Sequence, residues 1–185
     1  MEKKHRKYVP LGKFTLTGDM LRVTDPCSTE TWCAGVIEDM KSGEYNAYAA
    51  YDDGGRIEML LVAHSTCTNA HEMADKISTY DDDKIEYSYW EEIDAVILAD
   101  VHSGQCGLFD EEKIFDATQY YGFESRKSRC DNTLYTNCCA LTSSSMQAGV
   151  MPCGAVSSNE CCDIVLAFVL RDDDDIGVAA CIVYA

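Results

Sequence analysis

The sequence is poor in proline, in basic residues and in long apolar runs. Three of its 185 residues are prolines, and no low-complexity linker divides it, so we expect a single domain with a sizeable core. No apolar run approaches the roughly 18 residues of a membrane-spanning helix. Residues 1–7 are basic but have no apolar region behind them, so we expect no secretion signal. These absences argue against membrane proteins and small secreted scaffolds.

Basic residues are scarce beside acidic ones. Lys and Arg together number 15 and Asp and Glu 32, which gives a formal net charge of −17. The acidic excess persists when the two aspartate runs, Asp81–Asp83 and Asp172–Asp175, are set aside. A body of this charge repels phosphate backbones, so we expect no nucleic-acid partner, whereas a basic protein partner could be attracted to it. A high negative charge also keeps a protein soluble without any partner, and this alternative stays open.

The sequence has no Cys-x-x-Cys motif, although it contains 11 cysteines. Without a secretion signal we expect a reducing, cytoplasmic environment, and an odd count is unsuited to a complete disulfide framework. If the adjacent cysteines Cys138–Cys139 and Cys161–Cys162 lie on strands, the two side chains of each pair point to opposite faces. That is poor geometry for binding one zinc ion. We therefore expect most cysteines to be reduced, buried apolar side chains, and we expect no cofactor.

Apolar patterns predict a largely antiparallel sheet. Three hairpins are expected, made by Lys13–Thr17 with Met20–Thr24, Tyr45–Tyr51 with Arg56–Ala63, and Asp163–Leu170 with Ile176–Tyr184. Both arms of the last hairpin are almost continuously apolar, which is typical of strands buried on both faces. Ala95–Val101 is a further predicted strand.

Helical signals are fewer. Asn69–Glu72 has the form of a capping box before apolar residues at helical spacing, and Leu134, Cys138 and Leu141 form one stripe of a second helix. The predicted fold class is therefore α+β, mostly β. We expect a basic N-terminal tail at residues 1–10 and one globular domain at residues 11–185, with a largely antiparallel sheet and two or so short helices.

Three sequence blocks carry a family resemblance: Thr24–Cys27 with Thr31–Gly35 and Gly43–Tyr48; Trp90–Asp94 with Val101–Asp110; and Ala148–Gly149 with Gly154–Ser158 and the closing hairpin. In order and spacing they resemble the domain of unknown function 4241 family of bacteria and phages, over nearly the whole chain from about Leu11. The resemblance implies no activity, because none comes with the family.

The chain departs from that family's pattern in two places. His102 stands where the family usually has the Asp of Val-Asp-Ser-Gly. Asn159–Asp163 replaces a glycine-rich acidic loop and keeps an Asp but no glycine, so that loop's backbone should differ. The resemblance implies that a polar site shared by the family would be altered or absent in this chain.

Two polar turns beside predicted strands form a candidate ligand-binding site, whose residues are His102, Ser103, Gln105, Asp110, Ser157, Ser158 and Asp163. A histidine can act as a general base or a ligand near neutral pH, but the sequence shows no partner for it. The alternative is that these polar residues form a hydrogen-bonded turn after the strand and bind no ligand. Asp25 precedes a proline at a strand end, which favours a turn over a site carboxylate.

A second polar segment contains His64, Cys67 and His71, three potential zinc ligands within eight residues. The segment spans a strand end and a helix start, so these side chains would converge only across a tight turn. We favour a polar connection there and predict no metal site.

The chain lacks Gly-x-Ser-x-Gly, Walker, dinucleotide-binding and His-Glu-x-x-His motifs. We therefore expect a non-enzymatic, acidic cytoplasmic protein that acts by occupying a partner, as inhibitors, immunity proteins and anti-defence proteins do. The alternative is a protein or enzyme for a small molecule or a nucleotide-like ligand, with a polar site around His102 and Asp163. A zinc-stabilised structural protein is the third reading. No membrane partner is expected, and the oligomeric state is not predicted.

Overall fold

The structure, a computed structural model, describes residues 6–27, 34–77, 90–92, 103–115, 133–160 and 165–184. The strands are β1 (Tyr8–Leu16), β2 (Leu21–Thr24), β3 (Ala34–Ile37), β4 (Gly43–Tyr51), β5 (Ile57–His64), β6 (Trp90–Glu92), β7 (Gln105–Asp110), β8 (Ala148–Met151), β9 (Gly154–Ser158), β10 (Val165–Arg171) and β11 (Gly177–Tyr184). The helices are α1 (Ala70–Ala74), α2 (Glu111–Phe115) and α3 (Thr133–Thr142). The predicted fold class, α+β and mostly β, is confirmed.

The strands form two antiparallel sheets that pack face to face. One sheet has six strands in the order β1-β4-β5-β11-β10-β6, and the other has five in the order β3-β2-β7-β9-β8. Buried side chains from both sheets fill the space between them, including Tyr45 and Leu60 from the first and Val23 and Leu108 from the second. The predicted antiparallel sheet is thus two sheets around a shared core.

Short helices cover the outer faces of the two sheets. Met73 of α1 packs with Met59 on the six-stranded sheet. Ile114 of α2 and Leu134 of α3 pack with Phe109 on the five-stranded sheet. The central strands β5 and β11 are buried along their whole length, which explains why their sequences lack polar alternation.

Two of the three predicted hairpins are confirmed, because β4 pairs with β5 and β10 with β11. The predicted β1–β2 hairpin is wrong. Strand β1 pairs with β4, whereas β2 pairs with β3 and β7, so residues 17–20 cross from one sheet to the other. Other elements satisfy the polar groups of this crossing: the Thr17 N–H donates to the Asp110 carboxylate, and the Met40 N–H donates to the Asp19 carbonyl.

The predicted N-terminal tail is too long, because residues 6–10 belong to the domain. Strand β1 begins at Tyr8, which pairs with Ala50. The Arg6 side chain is buried, and its guanidinium donates to Glu58, to the carbonyl oxygen of Ala74 at the end of α1 and to that of Ile77 just beyond it. One planar cation thereby pairs with a buried carboxylate and bonds to two backbone carbonyl oxygens where α1 ends.

The two predicted helices are present as α1 and α3, whereas α2 was not predicted. The capping box before α1 does not form, because the Asn69 side chain makes no capping hydrogen bond. The predicted strand Ala95–Val101 lies outside the described residues. Within the described part of the chain, no helix has both the length and the apolar character to cross a membrane.

Candidate functional site

Three strand ends meet at one end of the five-stranded sheet. Because β2, β7 and β9 are antiparallel neighbours, the end of β2, the start of β7 and the end of β9 lie side by side. Gln105 pairs with Ser158 and Cys106 with Ser157 across β7 and β9. The structure therefore brings together parts of the three sequence blocks that carry the family resemblance. We call this region the Asp25 end.

Asp25 ties the first two sequence blocks together. Its side chain is fully buried, and its Oδ1 accepts hydrogen bonds from the Ser103 hydroxyl at 2.6 Å and the Cys27 N–H at 2.7 Å. Its Oδ2 accepts the Ser103 N–H at 3.0 Å. The bond to Cys27 makes the predicted turn, but the bonds to Ser103 were not predicted. Asp25 and Ser103 are 78 residues apart, so no local pattern announces the contact.

Ser157 links the two sheets rather than lining an open site. The Tyr184 hydroxyl donates to the Ser157 carbonyl oxygen at 3.0 Å, so the Ser157 hydroxyl is the donor in the 2.9 Å bond between the two hydroxyls. Both residues are buried. Burial raises the pKa of Tyr184 well above its usual value, so the phenol stays neutral.

Gln105 and Ser158 lie on the outer face of the sheet, since their neighbours Cys106 and Ser157 point inward. The buried Gln105 amide donates through Nε2 to the Cys139 sulfur of α3 at 3.3 Å. The Gln105 Oε1 accepts no hydrogen bond from any residue in the described ranges. The Ser158 hydroxyl donates weakly to the Gln147 carbonyl oxygen at 3.5 Å.

Asp110 lies at the opposite end of β7, about 17 Å along the strand from Gln105. Its carboxylate accepts the Thr17 hydroxyl at 2.5 Å and the Glu112 N–H at the start of α2 at 3.1 Å. It therefore holds the β1–β2 crossing and α2 in place. The structure therefore brings four of the predicted site residues to the Asp25 end, without Asp110: Ser103, Gln105, Ser157 and Ser158. The other two predicted site residues, His102 and Asp163, lie outside the described residues.

The three potential zinc ligands have separate contacts. The His64 ring bonds to the Thr66 hydroxyl at 2.8 Å and the Ser42 carbonyl oxygen at 3.2 Å, and the His71 ring stacks on Tyr8 at a centroid distance of 4.3 Å. The Cys67 thiol lies 3.6 Å from Asn69 Oδ1. Among the described residues, no group of three His, Cys, Asp or Glu side chains is placed to hold a metal ion. The contacts support a polar connection.

Stability should depend on pH through His64. Burial, with Lys41 nearby, lowers the pKa of His64, so the folded state favours the neutral ring. The unfolded chain takes up the proton near pH 6.5, the ordinary value, so this contribution to stability is present above about pH 6.5 and is lost as the pH falls below it. Urea unfolding at pH 7.5 and 5.5 should show a larger loss on acidification for the wild type than for His64→Gln. Equal losses would contradict this role of His64. The other ionisable groups are the same in both proteins, so their effect on the pH dependence of stability cancels in the comparison.

The end opposite the Asp25 end carries a concentration of exposed acids. It is formed by residues 17–20, 38–42, 110–113 and 171–177, whose backbones are joined by bonds such as Gly177 N–H to Asp39 O and Met40 N–H to Asp19 O. The exposed acidic side chains are Asp19, Glu38, Asp39, Glu112, Asp172, Asp173, Asp174 and Asp175. We call this region the acidic end. Its cations, Lys41, Lys113 and Arg171, are fewer.

Comparison of the chain with protein-family models, with curated proteins and with solved structures gave no match. The resemblance to the domain of unknown function 4241 family therefore stays a prediction from the quoted residues. The function has to be argued from the geometry of the chain itself.

Proposed function

We propose that this chain is a non-enzymatic binding protein that occupies a basic protein partner through its acidic end. The observation that carries the proposal is the contrast between the two ends of the sandwich. The acidic end presents many exposed carboxylates and few cations. At the Asp25 end, the Asp25 carboxylate and the Ser157 hydroxyl are engaged in hydrogen bonds within the fold.

The acidic end is rigid enough to present its charges in a fixed arrangement. In the β10–β11 turn, the Asp172 Oδ1 accepts the N–H groups of Asp174 and Ile176, at 3.0 Å and 3.1 Å. The Arg171 guanidinium donates to the Glu38 carbonyl oxygen, which joins this turn to the neighbouring segment. A rigid surface loses little conformational entropy on binding, and complementary charge speeds association with a basic partner.

This mode of action suits an inhibitor, an immunity protein or an anti-defence protein, each of which works by covering a partner. A cytoplasmic location belongs to the same proposal. The alternative of a small-molecule site around His102 and Asp163 concerns residues outside the described ranges, so it stays a prediction.

Two variants of equal net charge test the proposal. The first, Glu38→Gln/Asp173→Asn/Asp174→Asn, removes three exposed carboxylates from the acidic end. The matched control, Asp53→Asn/Glu72→Gln/Glu160→Gln, removes three exposed carboxylates outside it. None of the six side chains replaced is buried, so both variants should fold like the wild type.

Binding to a synthetic peptide rich in lysine and arginine is measured by calorimetry at several salt concentrations. The first variant should bind the peptide at least about fivefold more weakly than the wild type and with a weaker salt dependence. The reason is that charges in contact with the peptide contribute more to binding than distant charges do. The control should bind like the wild type. Equal weakening in both variants would show attraction to net charge alone, and no binding by the wild type would also overturn the proposal.

A further inference from the structure

The buried ring of His64 lies against residues 41–43, where the acidic end joins β4. Its Nε2 bonds to the Ser42 carbonyl oxygen at 3.2 Å, and a Cβ on Gly43 would lie 2.7 Å from the same nitrogen. The ring therefore packs directly on the backbone of this segment. We propose that His64 is a pH-sensitive switch: its neutral ring holds residues 38–43 in place, and its protonation loosens them and weakens binding of the basic partner. The effect on binding rests on the proposed function.

The hydrogen bonds of the ring require its neutral form. The Thr66 N–H donates to Nδ1 at 3.2 Å, so Nδ1 carries no proton and Nε2 is the protonated nitrogen. Nε2 is thus the donor to Ser42, and the Thr66 hydroxyl, 2.8 Å from Nδ1, is a second donor to that nitrogen. A proton added at Nδ1 would turn this acceptor into a donor that faces the Thr66 N–H, and that bond would be lost.

Lys41 adds a charge that opposes protonation of the ring. Its ammonium donates to the Thr66 hydroxyl oxygen at 3.4 Å, so a protonated His64 and Lys41 would compete for one oxygen. Burial, with Lys41 nearby, lowers the pKa of His64. A buried cation without an acceptor is costly, so we expect the charged ring to move toward water and to give up its contacts with Ser42 and Gly43.

The other titratable groups described around the ring leave its charge uncompensated. The Tyr45 ring meets the imidazole edge-on at a centroid distance of 5.3 Å, and burial raises the pKa of Tyr45 and of Cys67, so both stay neutral. The Glu44 carboxylate points to the opposite face of β4 from Tyr45 and pairs with Lys13 at 2.8 Å. The adjoining end of β11, residues 177–180, contains no titratable side chain.

The segment under the control of the ring is bonded to the other acidic stretch of the acidic end. The Lys41 N–H donates to the Gly177 carbonyl oxygen, and the Gly177 N–H donates to the Asp39 carbonyl oxygen, each at 2.8 Å. These bonds hold residues 38–42 beside the turn at residues 171–177. Loosening of the segment therefore separates the two stretches, and their exposed carboxylates lose the fixed arrangement that favours binding.

The first measurement follows amide hydrogen exchange of the free, full-length wild type at pH 7.5 and 5.0. Relative to the intrinsic exchange rate at each pH, protection of the Lys41 and Gly177 amides should fall at least about fivefold on acidification. The Asn159 amide, which donates to the Gly104 carbonyl oxygen at the Asp25 end, should keep its protection. Unchanged protection at Lys41 and Gly177 would overturn the proposal, and so would an equal fall at Asn159, which would show a general loss of stability.

The second measurement is calorimetric binding of the lysine- and arginine-rich peptide at the same two pH values. It compares the wild type with His64→Gln and with the control His71→Gln, whose ring stacks on Tyr8 beside α1, away from the acidic end. The wild type and the control should bind at least about fivefold more weakly at pH 5.0, whereas His64→Gln should bind alike at both pH values. Equal weakening in all three proteins would overturn the role of His64, because their carboxylates are the same.

The two measurements distinguish failure of this inference from failure of the proposed function. Wild-type binding of equal strength at both pH values would overturn the inference and leave the proposed function standing. Absence of binding at either pH would overturn the proposed function and, with it, the effect of His64 on binding. The exchange measurement decides the conformational part in either case, and it needs no variant to fold.

Discussion

Replacing Arg6 with methionine is expected to lower the free energy of unfolding by about 3–5 kcal/mol, the usual cost of removing one partner of a buried ion pair. The Arg6 Nη2 lies 3.0 Å from the Glu58 Oε1, and the exposed fractions of the two side chains are 2% and 8%. The same guanidinium donates to the carbonyl oxygens of Ala74 and Ile77, each at 2.8 Å. The variant therefore loses both the ion pair and the anchor that holds the end of α1 on the sheet.

The measurement for Arg6→Met is equilibrium unfolding in urea, with Lys7→Met as the matched control. Lys7 is the exposed neighbour of Arg6, so its replacement removes the same charge and should change stability by no more than about 0.5 kcal/mol. The double variant Arg6→Met/Glu58→Leu should recover much of the loss, because it also removes the buried carboxylate whose charge Arg6 balances. A loss below about 1 kcal/mol for Arg6→Met would show that Arg6 does not belong to the folded domain.

Replacing Gly154 with alanine is expected to cost about 4 kcal/mol, from backbone strain and overpacking together. Gly154 has a φ of 154°, which L-residues rarely adopt, and it opens β9 opposite Phe109 of β7. A Cβ there would lie 2.2 Å from the Leu108 carbonyl oxygen and 2.8 Å from the Phe109 Cα. Both are backbone atoms, so the strand pair itself would have to separate.

Gly55→Ala is the control that separates the effect of backbone strain on stability from the effect of overpacking. Gly55 also has a positive φ, 77°, but a Cβ at this position meets nothing within 4 Å. Its replacement should cost only about 1–2 kcal/mol, the penalty of the left-handed conformation. Urea unfolding of the two variants should therefore differ by about 2 kcal/mol or more. Equal losses would mean that β7 and β9 do not approach as closely as the structure shows.

Local sequence signals were sufficient for part of the fold. The Asp-Asp-Gly-Gly turn and the paired apolar runs predicted the β4–β5 hairpin, and the continuous apolar character of the last two strands predicted their burial on both faces. The prediction of a β1–β2 hairpin was wrong because two adjacent extended segments joined by a turn do not determine which strands pair. Their partners, β4 for β1 and β7 for β2, come from distant parts of the chain.

The candidate site was predictable only in pieces for the same reason. Gln105 and Ser157 were identified as polar residues beside strands, but the sequence gave no sign that Asp25 bonds to Ser103 or that Gln105 contacts Cys139. Asp110 was grouped with Ser103 because the two are close in sequence, yet an extended strand carries them to opposite ends of the sheet. The buried Arg6 was assigned to a tail because arginine is mostly exposed unless it is paired.

The central claim, that the acidic end binds a basic partner, is tested most directly by NMR. Backbone amide shifts of the ¹⁵N-labelled chain are followed while the lysine- and arginine-rich peptide is added. We expect the largest changes at residues 38–41 and 171–177, with the amides of Ser103 and Gln105 unaffected. Changes concentrated around Ser103, or spread evenly over both ends of the sandwich, would contradict the proposed function.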